Sequence, residues 1–95
     1  MAEKIRWSPR AADDLEDICN YIARDSERYA AIFAGNIFQI INHIPDFPNS
    51  GRIVPEYKNE SLREKIFGNY RIVYRLKNED VEIVAIHHGT RIFSL

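Results

Sequence analysis

Tyr70-Arg71-Ile72-Val73-Tyr74-Arg75-Leu76-Lys77, set between Gly68-Asn69 and Asn78-Glu79-Asp80, decides the fold. Its aromatic and β-branched residues favour extended chain, and the flanking segments carry the residues that hairpin turns use. The runs on either side, Leu62–Phe67 and residues 81–88, have the same character, so residues 62–88 read as an antiparallel meander. Period two sorts the middle strand: Tyr70, Ile72, Tyr74 and Leu76 face one way, Arg71, Val73 and Arg75 the other. The apolar set is expected against helices, which leaves the arginines on the opposite face. In the preceding strand Leu62 and Ile66 are expected inward, with Arg63, Lys65 and Phe67 outward beside the arginines. The last strand is apolar on both faces and its register stays open. An interior position or a covering chain would each account for it.

Upstream, the pattern changes period. Residues 3–7 alternate weakly as a short strand, with Ile5 and Trp7 on one face. Ser8-Pro9 is a helix start: the hydroxyl caps free N–H groups and proline fits a position that needs none. Asp13 and Asp14 lie near the positive end of that helix. Leu15, Ile18, Cys19 and Ile22 recur at helical spacing, which is one apolar face. Asp25-Ser26 interrupts and recaps. A second helix is expected over about residues 27–44, with Ala30, Phe33, Ile37, Ile40, Ile41 and Ile44 as its stripe. The short connection implies an antiparallel hairpin. Two prolines, Asn49-Ser50 and Gly51 end it in an ordered loop, with Phe47 expected to plug the core and residues 52–60 irregular.

The order β-α-α-β-β-β predicts a single α+β domain over residues 1–95. A two-helix antiparallel hairpin packs on one face of a mostly antiparallel four-stranded sheet, and the other face is left open. That open face is expected to be a shallow basic surface of Arg63, Lys65, Arg71 and Arg75, with His87, His88 and Arg91 at one edge. The plainer reading is that these are surface charges paired with Glu64 or Glu82.

Composition narrows the function. The chain has 95 residues, net charge −1 and 45% hydrophobic residues, which suits a folded globular protein. Residues 1–50 carry five basic and eight acidic side chains, residues 51–95 eight and six, so the anion-binding half is the second. The excess is too small for a general nucleic-acid binder. The single cysteine, Cys19, allows no intrachain disulfide. No apolar run approaches the roughly 18 residues of a spanning helix, and no signal core follows Met1, so a cytoplasmic protein with no membrane contact is expected. His87 and His88 are adjacent on a strand and cannot chelate one metal together, so neither metal nor cofactor is expected. There is no Gly-x-Ser-x-Gly and no phosphate loop, which removes most enzyme classes.

Several stretches together resemble one family. Trp7-Ser8-Pro9 with Ala11, Leu15, Ile18 and Tyr21-Ile22 resembles the opening of ParE-type toxins of the RelE/ParE superfamily, the plasmid-stabilisation branch. So do Phe47-Pro48-Asn49-Ser50-Gly51-Arg52-Ile53-Val54-Pro55-Glu56, Arg63-Glu64, Tyr70-Arg71-Ile72-Val73-Tyr74 and His88-Gly89-Thr90-Arg91. The resemblance covers about residues 4–92. It implies a type II toxin and a cognate antitoxin protein whose flexible tail wraps it. The docking surfaces implied are the helix-hairpin groove, edged by Leu15, Ile18, Phe33 and Ile37, and a sheet edge. Sequence-specific DNA binding without the antitoxin is not implied.

Two activities divide the superfamily. ParE-like members bind and poison DNA gyrase, which would make Arg63, Lys65, Arg71, Arg75, His88 and Arg91 target-binding residues. RelE-like members cut mRNA on the ribosome, which would give Glu56, Arg63, Arg71 and His88 roles in phosphodiester chemistry. The His-Gly-x-Arg ending and the low net charge favour the gyrase form. A non-toxic binding module is the alternative from another class, since fold does not fix function.

Overall fold

The structure, a computed structural model, describes residues 4–95. Glu3, the expected first residue of the opening strand, lies outside the described residues. The elements are β1 (Lys4–Trp7), α1 (Pro9–Ala23), α2 (Glu27–His43), β2 (Arg52–Ile53), β3 (Leu62–Phe67), β4 (Tyr70–Lys77) and β5 (Asp80–His88). They build an α+β fold around a sheet of order β1-β5-β4-β3-β2, one strand more than expected. The extra strand, β2, is two residues long and pairs antiparallel with β3. Among the described residues only the β1–β5 pair is parallel.

Local chemistry sets the boundaries. Ser8 Oγ accepts from the Ala11 N–H at 3.0 Å and donates to the Val84 carbonyl at 2.8 Å, so one hydroxyl both caps α1 and ties it to β5. Ser26 Oγ accepts from Tyr29 N–H at 3.1 Å and caps α2. Gly68 and Asn78 both adopt positive φ, which lets the two hairpins turn tightly. Asp14 does more than face the helix dipole: its carboxylate accepts from the Ile86 N–H at 2.9 Å.

The helix hairpin covers one face through a core that includes Ile37, Ile41, Ile72, Tyr74, Ile83 and Ile86, with Ile5 and Trp7 packed at its edge. The middle strand is oriented as expected. The neighbouring strand is not: Leu62 lies opposite Arg75, and Ile66 opposite Arg71. Directly paired residues share a face. Leu62, Glu64 and Ile66 therefore lie on the side away from the helices, while Arg63, Lys65 and Phe67 lie beneath them. Phe67 packs against Phe33 and completes the helix-side core. The expectation failed because this sheet buries apolar groups on both faces, so an apolar residue does not by itself mark the helical side.

A bulge resolves β5. Val73 pairs with Ala85 but Tyr74 pairs with Ile83, so Val84 is the extra residue. The phase slips there. Ile83 and Ile86, three apart, both enter the helix-side core, while Val84 and Ala85 join a second cluster with Val54, Leu62, Val73 and Phe93. The face opposite the helices is thus covered by the chain's own loop and C-terminal segment, and not left bare. Phe47 does not plug the core, being 61% exposed. The loop is held by Tyr74 instead, whose hydroxyl accepts from the Gly51 N–H at 2.9 Å and donates to the Pro48 carbonyl at 2.7 Å. A Cβ on Gly51 would stand 2.5 Å from that hydroxyl, so only glycine fits.

Candidate functional site

Arg71 projects from β4 away from the helices, where a cation was expected to face solvent. It is 5% exposed. Two segments close over it: the turn after β2 brings Glu56, and residues 91–95 follow β5 back across the sheet. Its guanidinium binds Glu56 at both oxygens, 2.7 and 2.8 Å, and its Nε donates to Glu64 at 2.6 Å. A fourth bond, 3.2 Å long, goes to the Arg91 carbonyl. Glu64 is 1% exposed and also accepts from Arg52 on β2. The forked donor geometry of arginine suits this planar, bidentate arrangement.

The electrostatics follow. Hydrogen bonds from Arg71 hold the Glu56 carboxyl well below the usual glutamate range, at about 2, against a smaller opposing push from burial. The same pairing raises Arg71 further above its already high value. Glu56 also accepts from the Phe93 N–H at 2.8 Å, which pins the C-terminal segment to the ion pair. Phe93 is 2% exposed and stacks on His87, with ring centroids 5.5 Å apart. Around it, Arg10 donates to the Ser94 carbonyl at 2.5 Å and Leu95 N–H to Tyr57 at 2.9 Å.

His87 lies opposite Arg71 on the neighbouring strand. Its Nδ1 is 3.0 Å from the His88 carbonyl, an acceptor only, so Nδ1 carries the proton. Nε2 is then a lone pair, buried and without a hydrogen-bond partner among the described residues. Burial pushes the ring's pKa down and keeps it neutral.

The expected basic surface is therefore not assembled. Arg71 is enclosed and neutralised, and Arg75 lies 3.7 Å from Glu82. Both were paired in the plainer reading of the sequence. Arg63 and Lys65 turn to the helical side. There Arg63 donates to the carbonyls of Glu60 and Gly51, each at 2.9 Å, and Lys65 to Ser50 at 3.1 Å. His88 sits on the opposite face of β5 from His87, edge-on to Tyr70 and 2.8 Å from the Thr90 hydroxyl. Arg91 is exposed and meets the Arg71 guanidinium through its backbone carbonyl. Of Glu56, Arg63, Arg71 and His88, only Glu56 and Arg71 meet. Glu64 is their third partner, His87 stands beside them as a residue expected at the edge of that surface, and Phe93 is the neighbour that the sequence reading did not single out.

The helix residues expected at a docking groove are core residues. Leu15, Phe33 and Ile37 are 8, 9 and 0% exposed, and only Ile18 is partly open. An open cleft lies between α2 and β3, a cavity of about 490 Å³ lined by Asn36, Ile40, His43, Phe47, Lys65 and Phe67 among others. It exists because the hairpin does not reach across β3. No group of three or more metal-ligating side chains occurs among the described residues, and no helix there is long and apolar enough to cross a membrane.

Comparison with known proteins gives a consistent result. Residues 5–93 match the family described as "ParE toxin of type II toxin-antitoxin system, parDE". The chain is 33% identical over 89 residues to a protein named "Putative toxin Y4kP" from Sinorhizobium fredii (strain NBRC 101917 / NGR234), covering 92% of this chain and 88% of that one. A solved structure, "Chromosomal ParDE TA system from P. aeruginosa", superposes with a TM-score of 0.74 over 90% of this chain and 94% of its own, at 19% identity. That likeness is one of fold.

Proposed function

Because the chain belongs to the ParE toxin family of type II toxin–antitoxin systems, we propose that it arrests growth by binding DNA gyrase rather than by cutting RNA. The observation that carries this reading is the state of Arg71. Phosphodiester cleavage needs cations free to stabilise a developing phosphorane. Here the central guanidinium is enclosed by Glu56 and Glu64 and lies beneath the C-terminal segment. A protein with net charge −1 is also poorly suited to lodging in ribosomal RNA. Binding to a large protein target requires only a shaped exterior. Arg75, Arg91 and the exposed apolar side chains Ile66 and Ile92 offer one.

One observation favours the RNase reading: the neutral His87, with Nε2 unpartnered, stands beside the Arg71–Glu56 pair. It would serve as a base only if residues 91–95 lifted away. A cognate antitoxin fits the cleft between α2 and β3. An amphipathic helix there would set apolar residues on Ile40, Phe47 and Phe67 and an acidic residue at Lys65.

The test is pulse labelling after expression without antitoxin, joined to a supercoiling assay with purified gyrase. DNA synthesis should fall before protein synthesis, and supercoiling should be inhibited. Rapid loss of full-length messages with gyrase unaffected would select RNA cleavage. Normal growth with soluble protein accumulating would refute toxicity.

A further inference from the structure

After β5 the chain runs Gly89-Thr90-Arg91-Ile92-Phe93-Ser94-Leu95 and forms no regular element. From Arg91 on, it is held across the sheet by side chains of distant segments. The Arg91 and Ser94 carbonyls accept from Arg71 and Arg10, and the Phe93 and Leu95 N–H groups donate to Glu56 and Tyr57. Ile92 and Leu95 are exposed, so Phe93 is the one apolar side chain that seats the segment. Its ring stacks on the half-buried imidazole of His87, and the Arg10 guanidinium lies 5.3 Å from the ring centre. Charged groups face His87 from every element packed around it: Arg10, Asp14 and Asp17 from α1, Glu64 from β3, Arg71 from β4, Glu56 from the turn after β2, its neighbour His88, and Arg91. The carboxylates are committed or exposed. Asp14 holds the Ile86 N–H, Glu56 and Glu64 hold Arg71, and Asp17 is exposed. Nε2 of His87 has no hydrogen-bond partner among the described residues. A proton arriving there would find no acceptor and would place a cation near Arg71 and Arg10. Both penalties end once the segment lifts and water reaches the ring.

We propose that residues 91–95 are a strap opened by acid: protonation of His87 releases Phe93 from the sheet while the helix-covered side stays folded. The linkage has a definite sign. Burial, with Arg71 and Arg10 adding to it, holds the closed ring below its ordinary value of 6.5, and the open ring returns to that value. The strap is therefore held fully above 6.5 and loosens as pH falls below it. Opening bares the Arg71–Glu56 pair and the His87 ring, so this face of the sheet is closed at neutral pH and accessible in acid. Five residues seated by one ring and a few hydrogen bonds form the kind of unit that opens without the rest of the domain. The proposal holds whichever target the toxin binds.

Amide exchange followed by NMR from pH 7.5 to 5, each rate divided by the unstructured rate at the same pH, reads the opening. Phe93 protection should be level above about pH 7 and fall about tenfold by pH 5, since one proton changes the equilibrium by at most about tenfold per pH unit. Ile37, in the helix-side core, should remain better protected than Phe93 throughout. His87→Phe keeps a ring for Phe93 to stack on and cannot take up a proton, so its Phe93 protection should not vary with pH. The His87 ring resonances of the unaltered chain give a reading that does not depend on a variant folding: they should titrate below 6.5. Constant Phe93 protection in the unaltered chain would overturn the proposal. So would a fall that persists in His87→Phe, equal protection of Ile37 and Phe93 at every pH, or a ring that titrates at or above its ordinary value.

Discussion

Beneath the helices the sheet is covered by side chains at regular helical spacing, with Ile37, Ile41 and Ile44 all buried within 1% exposure. On the opposite face the cover is two short irregular segments, fastened by the Arg71–Glu56–Glu64 ion cluster and by Phe93. The first kind of closure is many interchangeable apolar contacts. The second depends on a few directional ones, each holding a different stretch of chain. The two should respond differently to single substitutions, and the expected differences are large enough to measure.

The largest effect should come from Arg71→Ala. It leaves the enclosed Glu64 with only Arg52 and Glu56 with only the Phe93 N–H, and breaking a buried pair from one side costs about 3–5 kcal/mol. Arg75→Ala, from the more exposed pair, should cost no more than about 1 kcal/mol. Urea denaturation of the two variants checks the contrast. Loss of toxicity in Arg71→Ala would then reflect the fold before it reflected any target contact. Phe93→Ala should cost about 3 kcal/mol, comparable to truncating Ile37 on the helical side. A much smaller loss for Phe93 would mean that the C-terminal segment adds little to the second face. Gly51→Ala should cost about 1–3 kcal/mol by displacing the Tyr74 hydroxyl, again read by denaturation.

A further effect is graded in pH. Glu56 is held down at about 2 in the folded chain, chiefly by Arg71. A depressed acid stabilises the fold above its unfolded pKa, and that contribution is lost as pH falls through the folded one. The loss from this group should run from its ordinary value of 4.5 down to about 2, and Glu56→Gln should flatten it. His87 is depressed by burial, so its contribution is complete above 6.5 and declines as pH falls below that value. Denaturation midpoints across pH 2–7 check both.

The same contrast explains what the sequence discloses. The helix hairpin was legible because its apolar residues repeat at one period and Ser8 and Ser26 are recognisable caps. The meander was legible from Gly68 and Asn78. The faces of β3 were not, because Leu62 and Phe67 are both apolar and pack into cores on opposite sides, Leu62 buried and Phe67 partly so. The register of β5 was hidden by the bulge at Val84, which shifts the alternation by one. β2 is too short to show any period. Residues 91–95 form no regular element. Their anchors, Arg10 and Glu56, lie 84 and 37 residues away from their partners, and such contacts leave no local pattern. Arg71 and Glu56 were both named from the sequence, but their mutual neutralisation follows from how three segments converge.

Amide hydrogen exchange at Phe93 tests the closure of the second face most directly. With its N–H held by Glu56 under a buried ring, Phe93 should exchange at least about a hundredfold slower than an unstructured peptide, and Arg71→Ala should remove most of that protection. Exchange of Phe93 at the unstructured rate in the unaltered chain would show that face to be open.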